Sequence, residues 1–326
     1  MAAHSAFALG AGATGVSGAN AAHSRVAADK FRAWRAGAVQ ALIVRADPDS
    51  LATAAALSFA GAVPRSKPDP KSGSPALDLA ARASELAPQN AAIGWLRLQL
   101  CVNTPGCDIR DAATVMRWVD ADNGAVWLST LGTQREKDAA EIDRLLADMA
   151  HGTRFDLYWN RIVVLMFNAL SGVRKDLPGG YLASDSARLA ALTGIAGAEI
   201  IPPLVPLVEA CRGAAAGTER RDVCLKLSKT MQRSDTVVAQ MAGFGIERRL
   251  LAPDGRESHV ISERRHLLEW RMAAAAKFDT PLLPWLKNAR ARARLKQMRA
   301  NPREEDAGIA ILREHRMAID PKEDHR

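Results

Sequence analysis

Apolar residues along this chain recur at helical spacing almost from end to end. Between 24 and 45, Phe31, Trp34, Ala38, Leu42 and Val44 fall near one face of a first helix. Asp47-Pro48-Asp49-Ser50 then makes a turn that starts a second helix over 51–60. The stretch 63–75, VPRSKPDPKSGSP, reads as a linker, because its prolines and Ser/Gly content sustain neither regular structure. Further amphipathic stretches predict helices over 75–87, 91–102, 109–120, 125–134, 138–151 and 155–172, punctuated by Pro88-Gln89-Asn90, Thr104-Pro105-Gly106 and Ala121-Asp122-Asn123. The second half is less periodic. Helices are expected over 184–192, 203–212, 221–232, 235–251, 258–278 and 281–300, the last opened by Thr280 as cap and Pro281 as first helical residue. One more short helix is expected over 309–318. No segment sustains the two-residue alternation of a strand, so the class is all-α. The organisation reads as a Gly/Ala-rich tail over 1–22, a helical domain over 23–172, a C-terminal helical subdomain over 180–300 and a charged tail over 301–326.

Composition supports this. The chain has 326 residues, 48% of them hydrophobic and 25% charged, with only 5% aromatic. An Ala-rich, aromatic-poor chain favours close-packed helices, since sheets want β-branched and aromatic side chains. The net charge is +8, but most arginines are interspersed with acids, as on a solvated helical surface. The apolar stretch 162–170 is too short to span a bilayer, and the longer run 189–211 is interrupted by Glu199, Pro202, Pro203 and Pro206. No transmembrane segment is expected.

The N-terminal residues contain Gly10, Gly12 and Gly15 in a G-x-G-x-x-G spacing. No strand-like run precedes them and no βα alternation comes after, so they read as tail composition and no cofactor is expected. The same stretch resembles an incomplete export signal: 7–16 is mildly apolar and Ala19-Asn20-Ala21 fits a cleavage site, although a basic start is missing. Four cysteines fall in two local pairs, Cys101 with Cys107 and Cys211 with Cys224. Local disulfides are the simplest reading. Zinc lacks its close Cys-x-x-Cys knuckle, and buried free thiols are the remaining alternative. Disulfides would place the protein in an oxidising compartment, periplasmic or secreted, and free thiols in the cytoplasm.

Two turns resemble each other. LAPQNAAIGWL begins at Leu86 and VDADNGAVWL at Val119, which places Asn90 and Asn123 33 residues apart (123 − 90). After each come two small residues, a β-branched residue and a nearby tryptophan, Trp95 or Trp127. A period near 34 residues suggests stacked helix pairs, which bury their apolar faces only against neighbours. The segments LAPQNAAIGWLRLQLC and VDADNGAVWLSTLG resemble tetratricopeptide repeats, and more narrowly cysteine-paired helical proteins of proteobacteria that are often exported. The resemblance is best over 40–170, and neither copy keeps the full Gly, Tyr, Ala and Phe set of the repeat. It implies stacked antiparallel helix pairs and peptide or protein binding in a concave groove, and it carries no catalytic residues.

Candidate chemistry is sparse. His259, Glu263 and His266 share one helix face at i, i+4 and i+7, and Glu263-Arg264-Arg265-His266 fits half of a carboxylate-bridged di-iron motif. No second half exists, and two arginines inside the motif argue for a solvated face, so no metal is expected. No nucleophile elbow is present. The segment 285–303 carries Lys287, Arg290, Arg292, Arg294, Lys296, Arg299 and Arg303 without an acid, a possible grip for phosphates or an anionic membrane. Trp95, Trp118, Trp127 and Trp159 are expected in the core. The reading is a non-enzymatic interaction or assembly-scaffold protein that binds another protein or peptide. The alternatives are an enzyme whose site forms only in space and a polyanion or membrane-surface binder acting through residues 287–303.

Overall fold

The computed structural model describes residues 18–60, 74–132, 138–173, 182, 184–214, 217–251, 259–279 and 286–321. The glycine spacing near the N-terminus, the apolar part of the export-like stretch, nearly all of the 63–75 linker, the Thr280–Pro281 cap and Trp285 lie outside them.

Among the described residues the chain is all-α, with fifteen α-helices and no strand. In the first half these are α1 (Gly18–Arg45), α2 (Pro48–Phe59), α3 (Pro75–Leu86), α4 (Ala91–Val102), α5 (Ile109–Val119), α6 (Leu128–Gly132), α7 (Ala139–His151) and α8 (Trp159–Gly172). The second half adds α9 (Asp185–Glu199), α10 (Val205–Arg212), α11 (Glu219–Met231), α12 (Val237–Leu251), α13 (His259–Asp279), α14 (Leu286–Ala300) and α15 (Glu304–Glu314).

Short polar side chains start many of these helices by accepting the N–H groups that a first turn leaves unpaired. Asp47 accepts from Ser50 N at 2.9 Å, Asn90 from Ala92 N at 3.2 Å, Asp108 from Arg110 N at 2.9 Å and Asp138 from Glu141 N at 2.7 Å. Asn90 and Asn123, the two repeat positions, are both such caps in extended backbone. The elements they open are different. Asn90 opens a full helix, whereas Asn123 opens a 3₁₀ turn, Gly124–Trp127, and then the five residues of α6.

Helices α1 to α5 pack in sequence order, each against the next. Two other helices are surrounded. Ser50 to Leu57 of α2 are all at 0% exposure, and their alanines let α1, α3, α4, α8 and α9 approach closely. The α8 helix is buried almost all round by Asn160, Ile162, Val163, Leu165, Met166, Phe167, Ala169 and Leu170. It packs against the next helix, α9, and against α2 and α14, which are far from it in sequence. Arg161, Asn168, Ser171 and Gly172 are exposed, and the rest of α8 faces the interior. One hydrophobic core therefore runs from Trp34 to Met298 and includes both cysteine pairs. The division into 23–172 and 180–300 does not separate two cores.

Several expected boundaries move. The helix expected over 155–172 begins at Trp159, and Phe155 to Tyr158 lie outside it. The helix expected over 184–192 runs on to Glu199, and the one expected over 309–318 is Glu304–Glu314. Val44, assigned to the apolar face of α1, is 83% exposed.

Helices α11 and α12 touch through a glycine. A Cβ on Gly243 would lie 2.7 Å from the Ser228 carbonyl oxygen and 2.9 Å from Met231 Cβ, whereas one on Gly194 in α9 meets nothing within 4 Å. Gly243→Ala is expected to destabilise the protein by about 1–3 kcal/mol through overpacking. Gly194→Ala is expected to stabilise it by up to about 1 kcal/mol through helix propensity. Urea denaturation of the two variants checks both signs.

Candidate functional site

Both cysteine pairs are bonded. Cys101 ends α4 and joins Cys107 with Cα atoms 5.3 Å apart, and Cys211 of α10 joins Cys224 of α11 at 5.7 Å. Each bridge closes a helical hairpin, and Cys101, Cys211 and Cys224 are buried.

A network of hydrogen bonds holds the non-helical segment 153–158 between α7 and α8. It exists because Gly152 has no side chain: a Cβ there would stand 2.5 Å from Gly124 N. This lets Thr153 N reach the Asp122 carbonyl and Gly124 N reach that of Arg154, both at 2.9 Å. Asn123, fully buried, accepts from Ala125 N at 3.1 Å and Asp156 N at 2.9 Å, and donates to the Asp156 carbonyl at 2.9 Å and the Tyr158 hydroxyl at 3.1 Å. Arg154 bridges two carboxylates, Asp120 and Asp156. Tyr158 then adopts a left-handed backbone (φ 60°), which turns the chain into α8.

Asp235 receives this segment from the other side. Its carboxyl accepts from Leu157 N at 2.7 Å, while its carbonyl accepts from Glu304 N at 2.7 Å. Burial pushes the Asp235 carboxyl up to about 7, the nearby charge of Asp156 adds to this, and hydrogen bonds from Leu157, Trp159 and Ser234 oppose it. Glu304 is raised by burial as well, and caps α12 by accepting from Val237 N at 2.9 Å. At 4% exposure Asp235 cannot meet a substrate. The network joins the two halves of the chain.

The metal candidates stay on the surface. His259 Nδ1 lies 3.3 Å from Glu263 Oε2 with both side chains exposed, and no cluster of three or more potential ligands occurs among the described residues. Trp95 is the core tryptophan the sequence calls for: it is fully buried, tilted against Tyr158 at 5.7 Å, and donates Nε1–H to the Ile200 carbonyl at 3.3 Å. Trp127 and Trp159 are half-buried. Trp118 departs from expectation, with 70% of its surface in solvent.

The basic segment is α14, anchored in the core by Leu295 and Met298. Lys287 is exposed. Arg290 stacks on Phe278 at 4.7 Å and donates to its carbonyl. Arg292 reaches Asp185 at 3.2 Å, Lys296 reaches Glu314 at 2.8 Å, and Arg299 donates to Asn168. Arg294 is half-buried and its charge acts on Glu304. Most of these cations thus tie α14 to α8, α9, α13 and α15.

Two surface cavities are notable. A cleft of about 470 Å³ lies between α7 and the α10–α11 hairpin, walled by Leu146, Ala147 and Val223. Arg220 crosses its mouth, donating to Asp143 and to the Ala139 carbonyl at 3.1 Å. A smaller cavity of about 210 Å³ is lined by Arg233, Arg264, Arg271 and Arg303 together with Phe244 and Glu305. Sequence reading missed it, because those arginines come from separate turns and helices. The one trace was Arg264, which counted against a metal at Glu263 and His266 and in fact faces this cavity.

The chain matches no family model, no curated protein and no solved structure.

The network and the bridges each give an expectation. The Asp235 carboxyl is raised in the folded chain and ordinary, near 3.9, in the unfolded one. Its contribution to stability is therefore fully present below about pH 4 and is lost as pH rises through about 7. Unfolding free energy should fall between about pH 4 and about pH 7, and Asp235→Asn should flatten that slope; denaturant melts at stepped pH read it. For the bridges, alkylation of unreduced protein from its own host should label no thiol, and alkylation after reduction should label four. Cys211→Ala with Cys224→Ala should lower stability by about 2–4 kcal/mol.

Proposed function

We propose that this protein is a non-enzymatic interaction protein that binds a partner polypeptide through one end of its N-terminal helix pairs. The observation that carries this reading is the position of the large apolar residues exposed in the first half of the chain, among the described residues. Val44, Leu86 and Trp118 are 83%, 54% and 70% exposed, and each lies in the last turn of α1, α3 or α5. These are the first helices of successive pairs under the degenerate tetratricopeptide-like arrangement proposed for this half. Single exposed aliphatics are ordinary, but an exposed tryptophan is not, and tryptophan and arginine dominate the energetics of protein interfaces. Beside Trp118, Arg117 lies over the half-buried Trp127 ring at 4.5 Å. An apolar partner segment with acidic flanks suits such a surface.

The compartment proposed is the periplasm or the exterior, since two bridges persist where thiols oxidise. No helix among the described residues is long and apolar enough to cross a membrane. A polyanion-binding role for α14 is the weaker reading, because most of its cations already have partners within the fold.

The test places a photo-crosslinking amino acid at position 118, at position 86 and at exposed Lys229 on α11, in protein expressed in its own host. One discrete adduct of the same mass from 118 and 86, absent from 229, is the expected result. No adduct from 118, or the same adduct from all three positions, would overturn the reading.

A further inference from the structure

We propose that the smaller cavity, between α12, α13 and the start of α15, is a binding site for a phosphate-type oxyanion carried on a small organic group. The cavity gathers four guanidinium groups around about 210 Å³. Arg264 and Arg271 are seven residues apart on α13, two helical turns, and so face the same way. Arg233 comes from the turn after α11, and Arg303 caps α15.

The four cations are not matched by acids. Glu305 serves two of them, Arg271 at 2.9 Å and Arg303 at 3.3 Å. Arg303 is also within 3.4 Å of Asp306 and of the Ser234 carbonyl, and Arg271 donates to the Ile319 carbonyl at 3.1 Å. These contacts hold two guanidiniums in fixed orientations. The buried carboxylate behind them, Glu247, is taken by the Gln232 amide at 2.5 Å. Arg233 and Arg264 have no carboxylate partner among the described residues. Arg264 lies over the Phe244 ring at 5.4 Å, which supports its flat face and leaves its N–H edge for a ligand.

Like charges placed this close destabilise one another until an anion joins them. A planar guanidinium meets a tetrahedral oxyanion through two parallel hydrogen bonds, so a dianion can engage several arginines at once. Phe244, Leu267 and Leu268 give the cavity an apolar side, and Gln232 and Gln240 complete its lining. That pairing of a cationic side with an aromatic and aliphatic side fits a phosphate ester better than a bare ion. The volume is below that of ordinary drug-sized sites, which limits the organic group to a small one. This site is separate from the proposed partner surface on α1, α3 and α5, and either can fail while the other stands.

Isothermal titration of the full chain with inorganic phosphate, phenyl phosphate and succinate, at matched ionic strength, tests the site. The expected result is saturable binding of both phosphates, with phenyl phosphate the tighter and succinate weaker than either. Arg233→Gln, in an exposed turn, and Arg264→Gln should each weaken phenyl phosphate about tenfold, with the ligand-free melting temperature unchanged or raised. Absence of saturable binding of either phosphate would overturn the proposal. So would binding that both variants retain at full strength, or binding of succinate as tight as that of phosphate. Should Arg264→Gln fail to fold, Arg233→Gln decides alone.

Discussion

A buried amide must use its hydrogen bonds or destabilise the core that surrounds it. Asn123 uses them within the protein: it caps the 3₁₀ turn with one oxygen contact and clamps 156–158 with the rest. That clamp keeps 153–157 out of the helix, and the left-handed Tyr158 then sends α8 inward. Much else depends on where α8 goes. It packs against α2, α9 and α14, and it lets Asp235 reach the backbone at Leu157 from the second half of the chain. A small polar residue in a turn thereby fixes the path of a largely buried helix.

The sequence made the helices legible where apolar spacing and a capping residue agree. The 91–102 helix after Asn90 has the bounds that spacing predicts, and the Asp108 and Asp138 starts fall within a residue of expectation. Periodicity erred where tertiary hydrogen bonds override it. Phe155, Leu157 and Tyr158 are buried, and helical spacing assigns them to α8, but Asn123 and Asp235 take the backbone N–H groups of Asp156 and Leu157 and keep the segment out of the helix. The cysteine pairs were readable because each is local. The arginine cavity was not, since nothing in the chain between Arg233 and Arg303 reveals that four side chains will meet.

The basic excess of the sequence likewise redistributes once folded. A run of cations without an acid reads as a free patch, yet α14 lies against helices that carry Asp185 and Glu314, and against the ring of Phe278. The unmatched charge gathers instead at Arg233 and Arg264, which sit in stretches of ordinary mixed composition. Linear charge density is a poor guide when helices cross, because what a cation faces is decided by the neighbouring element.

The bridges have a consequence for how the chain matures. They close separations of 6 and 13 residues, whereas a wrong pairing such as Cys101 with Cys211 would close 110 (211 − 101). Loop-closure entropy alone disfavours that by about 2 kcal/mol relative to the shorter native loops. Each hairpin can therefore find its own partner sulfur while the rest of the polypeptide is still unfolded. The central core, assembled from helices far apart in the chain, forms on pieces whose thiols are already correctly joined. Oxidation of this protein should have little need of a disulfide isomerase.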